Sequence, residues 1–409
     1  MIPMNLNSQK IDFLAGSKDD SILTSLPFGI YETDIINFLS ELSSEILLLA
    51  KSKKRYRIFS YYALWSRKSN LLRLKKLRVD IEQRFGRGLA FHIAPSNVAT
   101  NILFTMAFGL ISGCPSIIRI SSKNINEINE ILKLIDSLLE REKFKRIKNY
   151  ISIISYERDD EINKKLSEIS DLRIIWGGDE TINYFKGFLT KPKSIDIVYP
   201  NRSALAIISK KWLIESSEEE KKSIAKAFSN DISLFSQRAC SSPKQLIIYG
   251  NEDKFNKYQY HNLLNSFLNQ CNTYISKLTE LEEFHTLNNF KTACEMSAAI
   301  EKDELTIKFS NLFGIYTSAN TKNINDLKYE NTCFFIREIP KFSEITNFLK
   351  KDNQTIVEIG LTIQEKKSLL NIVGPLGTDR IVKAGTALNM NIFWDGYDIV
   401  GFMSRLIQF

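Results

Sequence analysis

The chain has 409 residues, 44% hydrophobic and 25% charged, a composition that excludes disordered and fibrous classes and leaves room for two or three globular domains. A net charge of +8 allows an anionic ligand such as nucleic acid, a phosphorylated cofactor or an acidic thioester carrier. Five cysteines without a C-x-x-C pair argue against a disulfide framework, and three dispersed histidines argue against a zinc site.

Taken in chain order, the start from Met1 to Ser8 has no charged segment leading an apolar core. No secretory signal is expected, and a reducing, cytoplasmic protein is. Residues 33–81 read as helical, with basic stretches at Lys51–Arg57 and Arg73–Arg78. Their interleaving with Tyr56, Phe59, Tyr61 and Trp65 suits either nucleic-acid stacking or a solvated face with its aromatics turned inward, and the second is the expected one. The apolar run Val98–Gly113 is too short and too polar for a membrane span and predicts a buried helix.

From Gly86 the pattern alternates. Strands are expected at Arg87–Ala94, Ser116–Ile120, Ile151–Tyr156, Leu172–Gly177 and Ala204–Ile208. Helices are expected at Ala99–Ser112, Asn124–Lys148, Asp159–Ser170 and Asp179–Phe188. This is the signature of a doubly wound α/β domain, whose ligands bind beyond the carboxyl ends of the strands. A second α/β segment follows, with a helix at Ser216–Phe235, a strand at Gln245–Tyr249 and a long helix from Glu252 to about Leu278. Further strands are expected near Leu312–Thr317, Cys333–Arg337 and Thr355–Gly360. The expected division is an N-terminal helical region (1–85) packed on a cofactor-binding α/β domain (86–210), then a catalytic α/β domain (211–373) and a C-terminal segment returning to the cofactor domain (374–409).

Phosphate-loop, nucleophile-elbow and H-E-x-x-H motifs are absent, and Gly86-Arg-Gly88 lacks the third glycine of a dinucleotide fingerprint. The chemistry is left to strand ends. Asn97, in the turn Ala94-Pro-Ser-Asn97, could donate its amide to an oxyanion or, with Ser96, cap the next helix. Arg119 and Ser121 end a strand with a cation and a hydroxyl suited to a ribose or phosphate. Gly177 and Gly178 permit close backbone approach before a helix start, where Asp179 could be either a cap or an obstacle to phosphate. Cys240 sits in a polar turn between a helix and an apolar run, the position of a nucleophile more than of a core thiol. His92, inside its strand, reads as structural.

Together these segments resemble the aldehyde dehydrogenase superfamily. Ala94-Pro-Ser-Asn97 is similar to its oxyanion turn, Ala107–Arg119 to its next helix and cofactor strand, and Trp176-Gly-Gly178 to its glycine turn. Gln237-Arg-Ala-Cys-Ser-Ser-Pro243, Gly377–Gly385 and Trp394-Asp-Gly-Tyr-Asp398 look like the LuxC-type acyl-CoA reductase branch. The resemblance implies an aldehyde dehydrogenase-like fold and the NADPH-dependent reduction of an acyl thioester to the aldehyde, with Cys240 as nucleophile. It implies Asn97 in the oxyanion site and Arg119, Ser121, Gly177 and Gly178 around the cofactor. Self-association and an acyl-transferring partner enzyme are also implied, without nucleic acid or metal.

Hydrolytic relatives carry a glutamate where this chain has Ile197, which argues against oxidation of an aldehyde to the acid. That alternative would need another carboxylate, Glu295 or Glu358, beside Cys240. A third reading is a non-enzymatic binding protein using the basic 51–78 region.

Overall fold

The computed structural model describes residues 10–251, 257–278, 291, 294, 306–309, 312–316, 333–349 and 351–408. The chain divides into two units, 1–201 with 390–409, and 202–389. Glu295 lies outside the described residues.

The first unit contains β1 (Asp12–Gly16), β2 (Arg84–Gly86), β3 (Ala90–Ile93), β4 (Ser116–Arg119), β5 (Ile151–Ser155), β6 (Leu172–Trp176) and β7 (Ile195–Tyr199). Six of these form one sheet in the order β1-β5-β4-β3-β6-β7. It is parallel except at the edge, where β1 runs against β5. Strands β3 to β6 are buried on both faces, which is why they read as largely apolar runs and not as strictly alternating ones. Alternate residues serve alternate cores. Ala90 and Ile118 face one, while Phe91, Ile93 and Ile117 face the other.

Helices α1 (Thr33–Ser52), α2 (Ser60–Trp65) and α3 (Lys68–Lys75) lie between β1 and β2 in the chain, and α4 (Thr100–Ile111), α5 (Ser122–Leu139), α6 (Asp160–Ile169) and α7 (Asp179–Lys186) connect the parallel strands from β3 to β7. Helix α4 buries every residue but Asn101, as its apolar run predicts. No helix among the described residues is long and apolar enough to cross a membrane. The helix expected over 124–148 divides at Leu139, and Glu142–Tyr150 is a 3-10 run. Its buried residues, Phe144, Ile147 and Tyr150, recur every third position, which matches three residues per turn.

The C-terminal residues of this unit form a hairpin, Phe393–Trp394 against Tyr397–Asp398. Its two turn residues, Asp395 and Gly396, have φ of +49° and +73°, the left-handed pair that a two-residue hairpin demands. Asp398 caps the next short helix and pairs with Arg78 at 2.7 Å, and Ser404–Leu406 then pairs with β2.

The second unit contains β8 (Ser203–Ser209), β9 (Gln245–Tyr249), β10 (Thr306–Phe309), β11 (Leu312–Tyr316), β12 (Cys333–Ile339), β13 (Asn353–Ile359) and β14 (Arg380–Lys383). The sheet order is β10-β11-β12-β9-β8-β13-β14, parallel except between β10 and β11. Helices α8 (Lys210–Glu215), α9 (Glu218–Ser233) and α10 (Lys257–Leu278) cover one face, and Ile363–Val373 covers the other.

One expectation is corrected here. Ala204–Ile208 was expected to close the first sheet, but as β8 it is a central strand of the second, between β9 and β13. The change of sheet therefore falls before this strand and not at 210. A doubly buried strand announces its burial in sequence but not its partners.

Candidate active site

Strand order builds the first part of the site. The chain passes from β3 outward through β4 to β5, then returns to β6 on the other flank of β3. At such a reversal the loops leaving the two central strands diverge, and a crevice opens at the carboxyl edge. Asn97 follows β3, Arg119 and Ser121 lie at the end of β4, and Gly177 and Gly178 follow β6. The first unit thus brings five of the expected site residues to one edge, from three adjacent strands.

Their local geometry separates the open readings. Helix α4 starts at Thr100, with Ala99 and not Ser96 or Asn97 at the N-cap position. Asn97 is exposed beyond the strand end. The Arg119 guanidinium lies over the Tyr156 ring, 4.7 Å from its centroid, and Nη2 donates to the Tyr156 carbonyl at 3.3 Å. Its Nε is buried without a partner among the described residues. Ser121 caps α5, its hydroxyl accepting the Lys123 N–H at 3.4 Å. A β-carbon on Gly177 would stand 2.9 Å from the Thr181 side chain, so any other residue there would force that side chain to move.

Gly178 caps α7 without a side-chain bond, and Asp179 and Glu180 occupy the first turn. Those carboxylates repel a phosphate. The start of α5, between Arg119 and Lys123, suits one better. An arginine with an unused buried nitrogen, a helix start flanked by cations and a glycine-lined turn together fit a phosphorylated dinucleotide.

His92 lies behind this edge and is fully buried. Its Nδ1 is 2.8 Å from the Thr105 hydroxyl, which also accepts the Trp176 indole N–H at 3.1 Å. Burial pushes its pKa down to about 3, so it is neutral and serves the packing. Ile197 is buried in β7.

Cys240 belongs to the second unit. Helix α9 ends at Ser233 and continues into a 3-10 turn, Leu234–Gln237, where Phe235 and Gln237 have φ of +56° and +61°. Each such residue costs about 1–2 kcal/mol, so the turn needs outside support. Gln237 supplies it. Its buried carboxamide donates to the carbonyls of Pro243 (2.8 Å) and Cys333 (3.0 Å) and accepts the Cys333 N–H at 3.0 Å. Cys240 rides on this braced turn, half-buried, just before the amino end of β9.

The other thiols differ. Burial pushes Cys114 up to about 11 and Cys271 and Cys333 up to about 12, while Cys294 is exposed. Arg238, beside Cys240, is exposed.

Asp231, on the last turns of α9, was not read from the sequence. Its carboxylate accepts the N–H groups of Gly385 (2.5 Å) and Ala387 (3.0 Å), and burial pushes its pKa up to about 7. Arg380 holds the same loop through the Ala387 carbonyl at 3.1 Å. The helix leading to Cys240 is thereby tied to the Lys383–Ala387 segment. Only an aspartate inside an amphipathic helical pattern marked it, and nothing local names its partners.

The carboxyl edge of the second sheet holds different chemistry. Glu358, an expected candidate base, is buried at the end of β13, bound to Lys366 at 2.5 Å and to the Leu361 N–H at 3.3 Å. Cys240 precedes β9 at the amino edge, so the fold does not bring this carboxylate to it. Lys210, fully buried after β8, pairs with Glu338 at 2.9 Å. Burial opposes ionisation of Glu338, but hydrogen bonds from Tyr260 and Lys210 hold its carboxyl below the ordinary value. No group of three or more metal-ligating side chains occurs among the described residues.

The sequence model of one family, acyl-CoA reductase (LuxC), matches residues 57–406. No curated protein matches the chain in sequence. Among solved structures, the chain resembles the glyceraldehyde-3-phosphate dehydrogenase of Methanocaldococcus jannaschii complexed with NADP. The TM-score is 0.62 at 13% identity, over 95% of this chain and 90% of that one. Aldehyde dehydrogenase 21 of Physcomitrella patens, in complex with the reaction product succinate, gives 0.61 at 10% identity, over 91% and 84%. Proline utilization A of Corynebacterium freiburgense gives 0.65 at 11% identity, over 95% of this chain and 43% of that one. At these identities the likeness establishes the fold, which is that of the aldehyde dehydrogenases.

Proposed function

The chain belongs to the LuxC family of acyl-CoA reductases and is an oxidoreductase. On that premise we propose that it reduces a fatty acyl thioester to the aldehyde with NADPH, through an acyl group carried on Cys240. The observation that carries the thiol assignment is the turn itself. Two left-handed residues and the Gln237 brace present a half-buried sulfur, while three of the other four thiols are buried with raised pKa values.

The Cys240 thiolate attacks the thioester carbonyl carbon. The oxyanion is received by the Cys240 backbone N–H, and the resemblance to the aldehyde dehydrogenases implies the Asn97 amide as a second donor. The bond to the donor sulfur breaks, the donor leaves as a thiolate that takes a proton from water, and the acyl group remains as a thioester on Cys240. NADPH, when bound, supplies a hydride to this carbonyl. Collapse of the resulting thiohemiacetal expels the aldehyde and restores the thiolate. Arg119 and Ser121 would hold the phosphorylated ribose of the cofactor, and Gly177 and Gly178 would let it approach the backbone. Ile197 offers no base for water, so the acyl group waits for the hydride and not for hydrolysis. The donor is coenzyme A or an acyl-transferring partner enzyme, and the protein self-associates.

The test is NADPH consumption with a panel of acyl thioesters, comparing wild type and Cys240→Ser. Aldehyde formation by the wild type alone supports the reading. Equal rates in both proteins overturn the covalent mechanism.

A further inference from the structure

The positive charge of this protein is local. Residues 51–79 contain 11 of its 55 basic residues and no acidic one, leaving 44 basic against 47 acidic residues elsewhere. The same stretch, with Leu48 just before it, holds an uncommon share of exposed aliphatic side chains. Leu48, Leu64, Leu72, Leu77 and Val79 are 60%, 47%, 39%, 53% and 104% exposed, five of the 13 large exposed hydrophobics among the described residues.

On α3 the two features share one face. Leu71 and Leu74 point inward and are buried. Lys68, Leu72 and Lys76 stand one turn apart on the outer side with Arg73 beside them, and all four are exposed. Leu77 and Val79 extend the apolar surface past the helix end. Lys68 donates to the Asn37 carboxamide and Arg73 to that of Asn70, bonds that hold the side chains without cancelling their charge.

We propose that this outer face of α3 and the turn after it dock on an anionic lipid surface. Aliphatic side chains set among lysines and arginines suit a headgroup layer, where the apolar tips enter the acyl boundary and the cations meet phosphates. The alternatives fit less well. A nucleic acid would call for exposed aromatics, but Tyr56, Phe59 and Tyr62 are buried and Trp65 packs edge-on against Phe104 and Phe108 at 5.2 and 5.6 Å. A protein interface of this density of lysine would be unusual, since lysine is depleted at interface cores. The inference stands apart from the proposed catalysis.

Co-sedimentation of the full chain with vesicles of phosphatidylcholine alone, and of phosphatidylcholine with phosphatidylglycerol, tests it. Binding is expected only to the anionic vesicles and should weaken with salt. The triple change Lys68→Glu, Arg73→Glu, Lys76→Glu should weaken it about a hundred-fold or more, at roughly five-fold per cation removed. The double change Leu72→Ser, Leu77→Ser keeps the charge and should weaken binding about ten-fold. Unchanged thermal unfolding of both variants keeps the comparison valid, because every altered side chain is exposed. Absence of binding to anionic vesicles overturns the proposal. So does binding of the leucine variant equal to wild type, or a wild-type affinity for a short DNA duplex equal to that for the anionic vesicles, since either outcome reduces the face to a site for any polyanion.

Discussion

Gln237 and Cys333 are hydrogen-bonded in both directions, the Gln237 side chain accepting the Cys333 N–H and donating to the Cys333 carbonyl, each at 3.0 Å. A side chain here does the work of a neighbouring strand, completing the ladder at the start of β12 while fixing the turn that carries Cys240. Gln237→Glu keeps the shape but turns the donor into an acceptor facing two carbonyls. It should lower unfolding stability by about 3 kcal/mol, read from the denaturant midpoint, and abolish reductase activity. Full activity in a folded Gln237→Glu protein would show that the brace is dispensable.

His92 and Asp231 give opposite dependences of stability on pH. His92 is held at about 3 against an ordinary 6.5, so the unfolded chain binds the extra proton and stability is lost as pH falls from about 6.5 toward 3. Asp231 is raised from 3.8 to about 7, so the folded chain binds the extra proton and stability is lost as pH rises from about 4 to 7. Each amounts to a few kcal/mol at most, in different units of the chain. Asp231→Asn should remove its unit's loss between pH 5 and 7.5, and His92→Gln should remove the loss on acidification in the other. Thermal unfolding at the two pH values reads both. A pH slope unchanged by either substitution would refute the assignment to that residue.

Thiol accessibility offers a separate check on the nucleophile. Under native conditions an alkylating reagent should modify Cys240 and Cys294, with Cys114, Cys271 and Cys333 protected by burial and by raised pKa values. Peptide mapping should find two labelled thiols in the native protein and five after denaturation. Preincubation with an acyl thioester should protect Cys240 alone. Protection of Cys294 instead would move the acyl group to the wrong sulfur.

Arg119 should govern the choice of cofactor. Replacement by lysine loses the planar contact with Tyr156 and the two-pronged grip on a phosphate. The KM for NADPH is expected to rise about ten-fold or more in Arg119→Lys, with kcat and the KM for NADH little changed. Equal increases for both cofactors would place the arginine outside any phosphate site.

The fold was legible where burial is written into the residues themselves. β4, β5 and β6 are runs of isoleucine and its like, and α4 is apolar all round because it is buried all round. What could not be read was partnership. β8 has the same apolar texture as the first-sheet strands yet hydrogen-bonds in the second sheet. β7 was passed over because Ile195–Tyr199 is only half-buried and carries Asp196, which is clamped by Arg173 at 2.6 Å. The site divides in the same way. Strand ends and the cysteine turn were visible from local pattern. The support from Gln237 to Cys333 and from Asp231 to Gly385 spans 96 and 154 positions, beyond any local pattern.

The carboxyl edge of the first sheet has one more consequence, and it concerns how such a protein can change. Its three loops leave separate strands and are rooted in a common floor, so each can be rewritten without moving the others. Substitutions at 119–123 can reshape that strand end while the turns at 94–98 and 177–179 stay as they are. The sheet acts as an inherited chassis, and variation is cheapest at the places where the chain turns back.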